Sequence, residues 1–143
     1  MSDDTQTRGL VDTNILILRS QLNQEELPSE LAISAVTLAE LSAGVYHVSG
    51  DSADASQERA KRVGILQNAE NQFDAIPFDS DMARRYGQLS AAVHAYGRTP
   101  RRRIADIMIA ATASVLQLPL YTTNPDDYAG LEQWVDIVPV TRP

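Results

Sequence analysis

The sequence contains no cysteine, and this absence removes several classes of chemistry. With no thiol among its 143 residues, the chain cannot form disulfides, use a thiolate nucleophile or bind zinc through cysteine. Histidine is almost as scarce, since His47 and His94 are the only two. A metal site built from several histidines of this one chain is therefore excluded as well.

Lysine and long apolar runs are also scarce. All of the 12 basic residues except Lys61 are arginines, and no GxxxxGK[ST] loop surrounds Lys61, which excludes a P-loop nucleotide site. No run of 18 apolar residues occurs. The start MSDDTQTR has neither the basic end nor the apolar stretch of a signal peptide. We therefore expect a cytoplasmic location and no membrane association.

Acidic residues outnumber basic ones by 19 to 12, which gives a net charge of −7. This excess argues against broad, non-specific attraction to nucleic acid or to an anionic membrane. Hydrophobic residues make up 43% of the chain, a globular composition. Together with the length, this predicts a flexible tail at residues 1–8 and a single domain over residues 9–143.

Short apolar runs alternate with helical patterns along the chain. Strands are predicted at residues 9–11, 31–33, 75–78, 118–122 and 135–140, with helices between them. Asp79 or Ser80 is placed to cap the helix that follows residues 75–78. This helix has an apolar stripe, which we interpret as core or as a dimer surface: Met82, Tyr86, Leu89, Val93 and Tyr96. Strands separated by helices form β-α-β units, so we expect an α/β fold with a mainly parallel, helix-covered sheet.

Four carboxylates occupy comparable places in this pattern. Asp12 and Asp127 follow predicted strands, Glu40 lies about a turn and a half into the helix after the second strand, and Asp106 opens the alanine-rich helix. In a parallel α/β sheet these places share one edge, where ligands bind. The four side chains could therefore converge on one pocket.

Clustered carboxylates repel one another unless a cation compensates their charge. Oxygen ligands without cysteine or histidine suit a hard divalent ion such as Mg²⁺ or Mn²⁺. Such an ion can activate a bound water and stabilise the charge that develops on a phosphate. The pattern thus indicates metal-assisted hydrolysis of a phosphodiester, with no covalent nucleophile.

Each acid also has a purely structural interpretation. Asp12 is suited to capping a helix, and Asp106 in a first turn meets the helix dipole favourably. The spacing of Thr37 and Glu40 matches a capping box, and Asp127 belongs to a polar turn. The pattern of residues alone leaves both interpretations open.

Around these acids the chain resembles the PIN-domain ribonucleases, specifically the VapC-type toxins of bacterial toxin–antitoxin pairs. The segments that carry the resemblance are LVDTN (10–14), TLAEL (37–41), ADIMIAATA (105–113) and TTNPDDY (122–128). They occur in the family's order, and the likeness runs over residues 9–140. The departures are small: Asp126 stands beside Asp127, and Tyr128 replaces a commoner phenylalanine.

The resemblance implies a PIN fold, a Rossmann-like three-layer α/β/α sandwich with a central, mainly parallel sheet. It also implies an endoribonuclease that depends on Mg²⁺ or Mn²⁺ and hydrolyses RNA with a metal-activated water. The implied catalytic acids are Asp12, Glu40, Asp106 and Asp127, of which Asp12 and Asp106 are the main metal ligands. By register we take Asp127, rather than Asp126, as the fourth acid.

The resemblance further implies neighbours and partners for this site. The polar groups expected to orient the carboxylates or the substrate are Thr13, Asn14, Thr122 and Asn124. The implied partners are an RNA substrate, a cognate antitoxin protein and a second copy of the chain in a homodimer. DNA would be contacted only indirectly, through the toxin–antitoxin complex.

A basic turn precedes Asp106 and contains Arg98, Arg101, Arg102 and Arg103. We hypothesise that these arginines hold the RNA backbone beside the acids. The alternative is a solvated turn whose arginines pair with nearby acids.

Two other functions compete with a toxin ribonuclease. A phosphoacceptor receiver module expects paired acids early in the chain and a lysine near a late strand. Here Asp3 and Asp4 lie in the predicted tail and Lys61 in a central helix, so this match is poor. The other alternative is a catalytically silent PIN-like RNA-binding or scaffold protein.

Overall fold

The computed structural model describes residues 7–143, which form a parallel sheet with helices between its strands. The strands are β1 (Arg8–Val11), β2 (Glu30–Ala32), β3 (Leu120–Thr122) and β4 (Ile137–Pro139), in the order β2-β1-β3-β4. The helices are α1 (Thr13–Leu18), α2 (Ala35–Tyr46), α3 (Ala53–Gln72), α4 (Ser80–Ala95) and α5 (Ile104–Leu116). All three strand pairings are parallel, which confirms the predicted α/β class.

Helices cover both faces of this sheet. Leu10 and Leu120 pack into a core cluster with residues of α4 and α5, whereas the next residues, Val11 and Tyr121, pack with residues of α1 and α3. Successive side chains of a strand point to opposite faces, so the two clusters lie on opposite sides of the sheet. This is the expected three-layer α/β/α arrangement.

Short polar side chains begin four of the helices. Each N-cap accepts a hydrogen bond from a backbone N–H of the first turn, and the four caps are Asp12, Ser34, Ser52 and Asp79. The predicted cap at Asp79 is therefore confirmed. Because Ser34 caps α2, Glu40 lies inside the helix, and the capping-box interpretation of residues 37–40 is wrong.

The predicted strands at residues 9–11, 31–33, 118–122 and 135–140 differ from β1–β4 by one or two residues at their ends. β1 begins at Arg8, the last residue of the predicted tail, and residues 1–6 of that tail lie outside the described part. The predicted strand at residues 75–78 is reduced to one parallel bridge between Ile76 and Ser34. Pro77 follows directly and has no N–H with which to extend a ladder.

The apolar stripe of α4 is mostly core. Met82, Leu89 and Val93 are at most 2% exposed, whereas Tyr96 at the end of the stripe is 57% exposed. Within residues 7–143, none of the helices combines the length and the apolar character needed to cross a bilayer.

Candidate active site

The carboxyl ends of β1 and β3 lie side by side and place their following residues at one edge of the sheet. Val11 pairs with Tyr121 in the ladder, and the Asp12 N–H continues it by donating to the Tyr121 carbonyl at 3.2 Å. Glu40 reaches this edge from α2, and Asp106 reaches it from the first turn of α5. Asp127 lies in a single 3₁₀ turn, Pro125–Tyr128, shortly after β3.

The raised pKa of Asp106 shows that the four predicted acids lie close together. Burial raises the pKa of the Asp106 carboxyl from 3.8 to about 7, and the negative charges of the other three contribute to the increase. In order of effect these three are Asp127, Glu40 and Asp12. Arg103 opposes the increase. The structure therefore brings together four carboxylates that are distant in sequence.

A cavity of about 220 Å³ opens among these acids. Its lining residues are Asp12, Thr13, Asn14, Ile17, Glu40, Asp106 and Ile109. Three carboxylates thus face one small space, and Asn14 contributes a polar side chain to its exposed rim. The cavity is large enough for an ion with several waters.

Asp12 is the most buried of the four acids, at 4% exposed. Its Oδ1 accepts the N–H of Ile15 at 3.3 Å, which caps α1, and its Oδ2 accepts the hydroxyl of Tyr128 at 3.2 Å. Burial raises the pKa of the Asp12 carboxyl, and hydrogen bonds, the first from the Thr122 hydroxyl, oppose this increase. Asp12 therefore caps a helix and also faces the acid pocket.

Glu40 is held by a threonine on the neighbouring helix. Thr13 Oγ1 donates to Glu40 Oε1 at 2.5 Å and lies 3.2 Å from Thr37 Oγ1. Thr37 is fully buried one turn before Glu40, so the two hydroxyls form a polar link between α1 and α2. This contact is of the kind predicted for Thr13, because it fixes the direction of a site carboxylate.

Asp126 and Asp127, which are adjacent in the 3₁₀ turn, contact different arginines and differ in exposure. Arg98 Nη2 lies 3.0 Å from both carboxylate oxygens of Asp126, whose side chain is 74% exposed. Asp127 Oδ1 instead lies 3.5 Å from Arg103 Nη1, and its charge raises the pKa values of Asp106 and Asp12. Asp127 therefore lies close enough to Asp106 and Asp12 for its charge to act on them, although it does not line the cavity, whereas Asp126 faces Arg98 and solvent.

The arginines of the basic turn separate into two pairs. Arg98 and Arg103 also donate to the backbone carbonyls of Asp126 and Asp127, so both are tied to the 3₁₀ turn. Arg101 and Arg102 are exposed and form no ion pair within the described residues. Of the four arginines predicted to contact RNA, Arg101 and Arg102 thus remain candidates. Arg98 and Arg103 instead fit the alternative, in which the arginines of the turn pair with nearby acids.

Thr122 and Asn124 have unequal contacts. The buried Thr122 hydroxyl bonds to Asp12 and accepts the Asn124 N–H at 2.9 Å. Asn124 shapes the turn through its backbone, since its carbonyl accepts the Asp127 N–H at 3.0 Å. Among residues 7–143, the Asn124 side chain makes no hydrogen bond, so its proposed role stays a prediction.

Comparison with known proteins identifies the family. Residues 9–130 match the model of the PIN domain. The chain belongs to the PIN-domain family. Ribonuclease VapC5 of Mycobacterium tuberculosis is 34% identical over 131 residues, which is 90% of each chain. Ribonuclease VapC8 of the same organism is 32% identical over 108 residues, or 75% of this chain and 91% of VapC8.

A solved structure agrees with this assignment. The crystal structure of VapBC-5, a toxin–antitoxin system of Mycobacterium tuberculosis, matches with a TM-score of 0.77 and 34% sequence identity. The match covers 94% of this chain and 99% of that one. The predicted VapC-type PIN domain is therefore confirmed, and the receiver-module alternative is excluded.

The acids of this PIN domain fit a hard divalent ion. Within the described part of the chain, no three acidic or histidine side chains are already arranged to hold a metal by themselves. Mg²⁺ commonly takes only one or two carboxylates and keeps several waters, which Asp12 and Asp106 at one cavity can accommodate. Burial raises the pKa of Asp106 most, and the repulsion by the neighbouring acids that adds to this increase is what a bound cation would relieve.

Sequence reasoning noted Tyr128 only as an aromatic residue and missed its contact with Asp12. Burial, followed by the charge of Asp12, raises the pKa of the Tyr128 hydroxyl well above its usual value, so it keeps its proton as a donor. The only signal in the sequence was the tyrosine at a position where the family more often has phenylalanine. The role of Thr37 as a buried neighbour of Thr13 was missed as well.

Proposed function

We propose that this PIN domain is a divalent-metal-dependent endoribonuclease, the toxin of a toxin–antitoxin pair, which hydrolyses RNA phosphodiester bonds by water. The observation that carries the proposal is Asp106, whose pKa is raised to about 7 beside three other carboxylates at the carboxyl edge of the sheet. Its relatives VapC5 and VapC8 are named ribonucleases, which supports the class of reaction.

Asp12 and Asp106 would hold the ion, and Glu40 and Asp127 would complete the site directly or through water. When bound, Mg²⁺ or Mn²⁺ supplies positive charge against the phosphate and acidifies a water. The protein keeps these carboxylates in place beforehand: Thr13 holds Glu40, and Arg103 lies against Asp127. Such preorganisation lowers the cost of assembling the site during the reaction.

Arg101 and Arg102 are the residues proposed to contact the RNA backbone. Both are exposed on the 3₁₀ turn Pro100–Arg103, directly before the helix that carries Asp106. In a protein of net charge −7, two exposed guanidinium groups at this place give local attraction to phosphate where the overall charge gives none.

This RNA contact is tested by binding at several salt concentrations in the Asp106→Asn background, which prevents cleavage. Replacing Arg101 and Arg102 by alanine should weaken binding and reduce the slope of log affinity against log salt by about 1.4, or about 0.7 per phosphate. Arg84→Ala is the matched control, because Arg84 is exposed on α4 and paired with Asp81. An unchanged slope in the double variant would contradict the assignment.

The same proposal includes an inhibitory antitoxin, a homodimer, contact with DNA only through the toxin–antitoxin complex, and a cytoplasmic location. The antitoxin is supported by the similarity to a structure of a toxin–antitoxin system. Light scattering of the purified chain tests the homodimer, and inhibition of cleavage by the co-expressed antitoxin tests the partner.

Cleavage of total cellular RNA by the purified protein with Mg²⁺ or Mn²⁺ tests the reaction. EDTA, Asp12→Asn and Asp106→Asn should each abolish cleavage while circular dichroism shows an intact fold. Asp81→Asn removes the same charge from an exposed position on α4 and should leave cleavage unchanged. Cleavage by a folded Asp106→Asn variant would overturn the proposal. RNA binding without cleavage under any divalent ion would instead establish the catalytically silent alternative.

A further inference from the structure

The hydroxyl of Tyr128 contacts Asp12 from the core side of the protein. Tyr128 is 1% exposed, and its ring packs in the cluster formed with residues of α4 and α5. Its hydroxyl donates to Asp12 Oδ2 at 3.2 Å. A buried phenol therefore touches the most buried carboxylate of the site.

We propose that Tyr128 is a positioning residue for Asp12, and that its hydroxyl bond increases the affinity of the site for a divalent ion. The inference rests on the proposed function, because it takes Asp12 as a metal ligand. Tyr128 itself touches neither metal nor RNA in this proposal and acts only through Asp12.

Both oxygens of Asp12 accept a hydrogen bond from a fixed donor. Ile15 N–H holds Oδ1 from the start of α1, Tyr128 holds Oδ2, and the Thr122 hydroxyl contributes a further hydrogen bond to the carboxylate. The terminal torsion of an aspartate is otherwise broad, so a carboxylate held at only one oxygen samples a wide range of orientations. The carboxylate still has lone-pair capacity for a cation after accepting these hydrogen bonds.

The position of the Tyr128 hydroxyl is in turn fixed by the turn that carries it. Arg98 pairs with Asp126 and Arg103 with Asp127, the two residues directly before Tyr128. The Tyr128 carbonyl also accepts the N–H of Leu131 at 3.1 Å. A donor anchored on both sides in the chain loses little conformational freedom when it holds a carboxylate, which makes it effective for positioning.

A purely structural explanation is that Asp12 merely satisfies a buried hydroxyl, which would otherwise be costly. The two explanations differ in what the hydroxyl does for metal binding. If Asp12 serves only as the hydrogen-bond partner of the buried Tyr128 hydroxyl, then removing the hydroxyl also removes the need for that partner and leaves the metal affinity unchanged. If it positions Asp12, its removal weakens metal binding, since groups that orient metal ligands typically change affinity 10- to 100-fold.

Tyr128→Phe removes only the hydroxyl, and Tyr86→Phe is the matched control, because Tyr86 is partly buried against the same core cluster. Calorimetric titration with Mn²⁺ should show about tenfold weaker binding for Tyr128→Phe and a change below twofold for Tyr86→Phe. Thermal unfolding in EDTA should show both variants folded. Cleavage by Tyr128→Phe should return toward the wild-type rate when Mn²⁺ is raised about 100-fold, which a damaged fold would not allow.

A second measurement needs no variant. In wild-type protein labelled at the tyrosine ¹³Cζ position, Mg²⁺ should shift the Tyr128 resonance and leave that of Tyr86 in place. Wild-type Mn²⁺ affinity in Tyr128→Phe, or an unmoved Tyr128 resonance in protein that binds the ion, would overturn this inference alone. Wild-type protein that neither binds Mn²⁺ nor cleaves RNA would overturn the proposed function, and this inference with it.

Discussion

Replacing Asp106 by asparagine should stabilise the metal-free protein at neutral and alkaline pH, even though it removes a proposed metal ligand. Burial, together with three neighbouring carboxylates, raises the pKa of Asp106 from 3.8 to about 7. The ionised carboxylate is therefore unfavourable in the folded protein when no cation is present. Asparagine has nearly the same shape but carries no charge at any pH.

The pH dependence of this effect has a definite sign. Below pH 3.8 the Asp106 carboxyl is protonated in both the folded and the unfolded chain. Between pH 3.8 and about 7 the unfolded chain releases the proton while the folded protein keeps it, so stability falls as pH rises. Above pH 7 both states are ionised, and the loss is complete.

The size of the effect follows from the same two pKa values. A difference of one unit between the folded and unfolded pKa is worth about 1.4 kcal/mol, so the loss of folding free energy over the whole pH window is at most about 4 kcal/mol. Asp106 is partly exposed, and solvent screening reduces this figure. After that reduction, we expect the ionisation of Asp106 to lower the free energy of unfolding of the wild type by roughly 1–2 kcal/mol between pH 5 and pH 8.5.

Urea unfolding in EDTA, followed by the fluorescence of the single tryptophan, Trp134, measures this free energy. The free energy of unfolding of Asp106→Asn, minus that of the wild type, should increase by this amount from pH 5 to pH 8.5. Because other titrating groups are common to both proteins, their effects cancel in the difference. A difference that does not change with pH would show that burial and the neighbouring carboxylates do not disfavour the ionised form of Asp106 in the folded protein.

Three further predictions concern the turn, the sheet and the metal. Asp127→Asn should reduce cleavage about 100-fold, whereas Asp126→Asn should retain most of it; equal loss in both would contradict the placement of Asp127. Gly9→Ala should lower the free energy of unfolding by about 1–3 kcal/mol in urea, because a Cβ at this position would clash with the Tyr121 ring. Mn²⁺ binding near pH 6 should release a proton from Asp106, seen calorimetrically as a heat that depends on the buffer; buffer-independent heat would contradict this.

The main features of the fold and the position of the acids could be predicted because they depend on local signals. Asp12 follows a short apolar strand, and Asp106 opens a helix rich in small residues. In a parallel sheet, such places lie at the same edge whatever the details of packing. The raised pKa of Asp106 follows from this geometry, since burial and the repulsion expected among clustered carboxylates both disfavour its ionised form.

The contacts that hold these acids could not be predicted. The bond from Tyr128 to Asp12 joins residues 116 positions apart, and that from Arg98 to Asp126 spans 28. Hydrophobic periodicity and cap signals act over a few residues and contain no information about such pairs. The predicted strand at residues 75–78 is wrong for a local reason. The apolar neighbours of Pro77 favour a strand, but Pro77 has no N–H to donate to the ladder, so only one bridge forms.

The pairing of arginines also changes how the net charge bears on RNA binding. Arg98 and Arg103 are engaged with the turn that carries Asp126 and Asp127, so they offer little further charge to a phosphate backbone. In the proposed function, the acid pocket without a bound ion should repel RNA, and among the arginines of the basic turn Arg101 and Arg102 are the two without an ion pair in residues 7–143 that could attract it. A divalent ion reduces this repulsion, so metal and RNA should each increase the affinity of the site for the other. We therefore expect RNA binding to be local and to become stronger when the metal is bound.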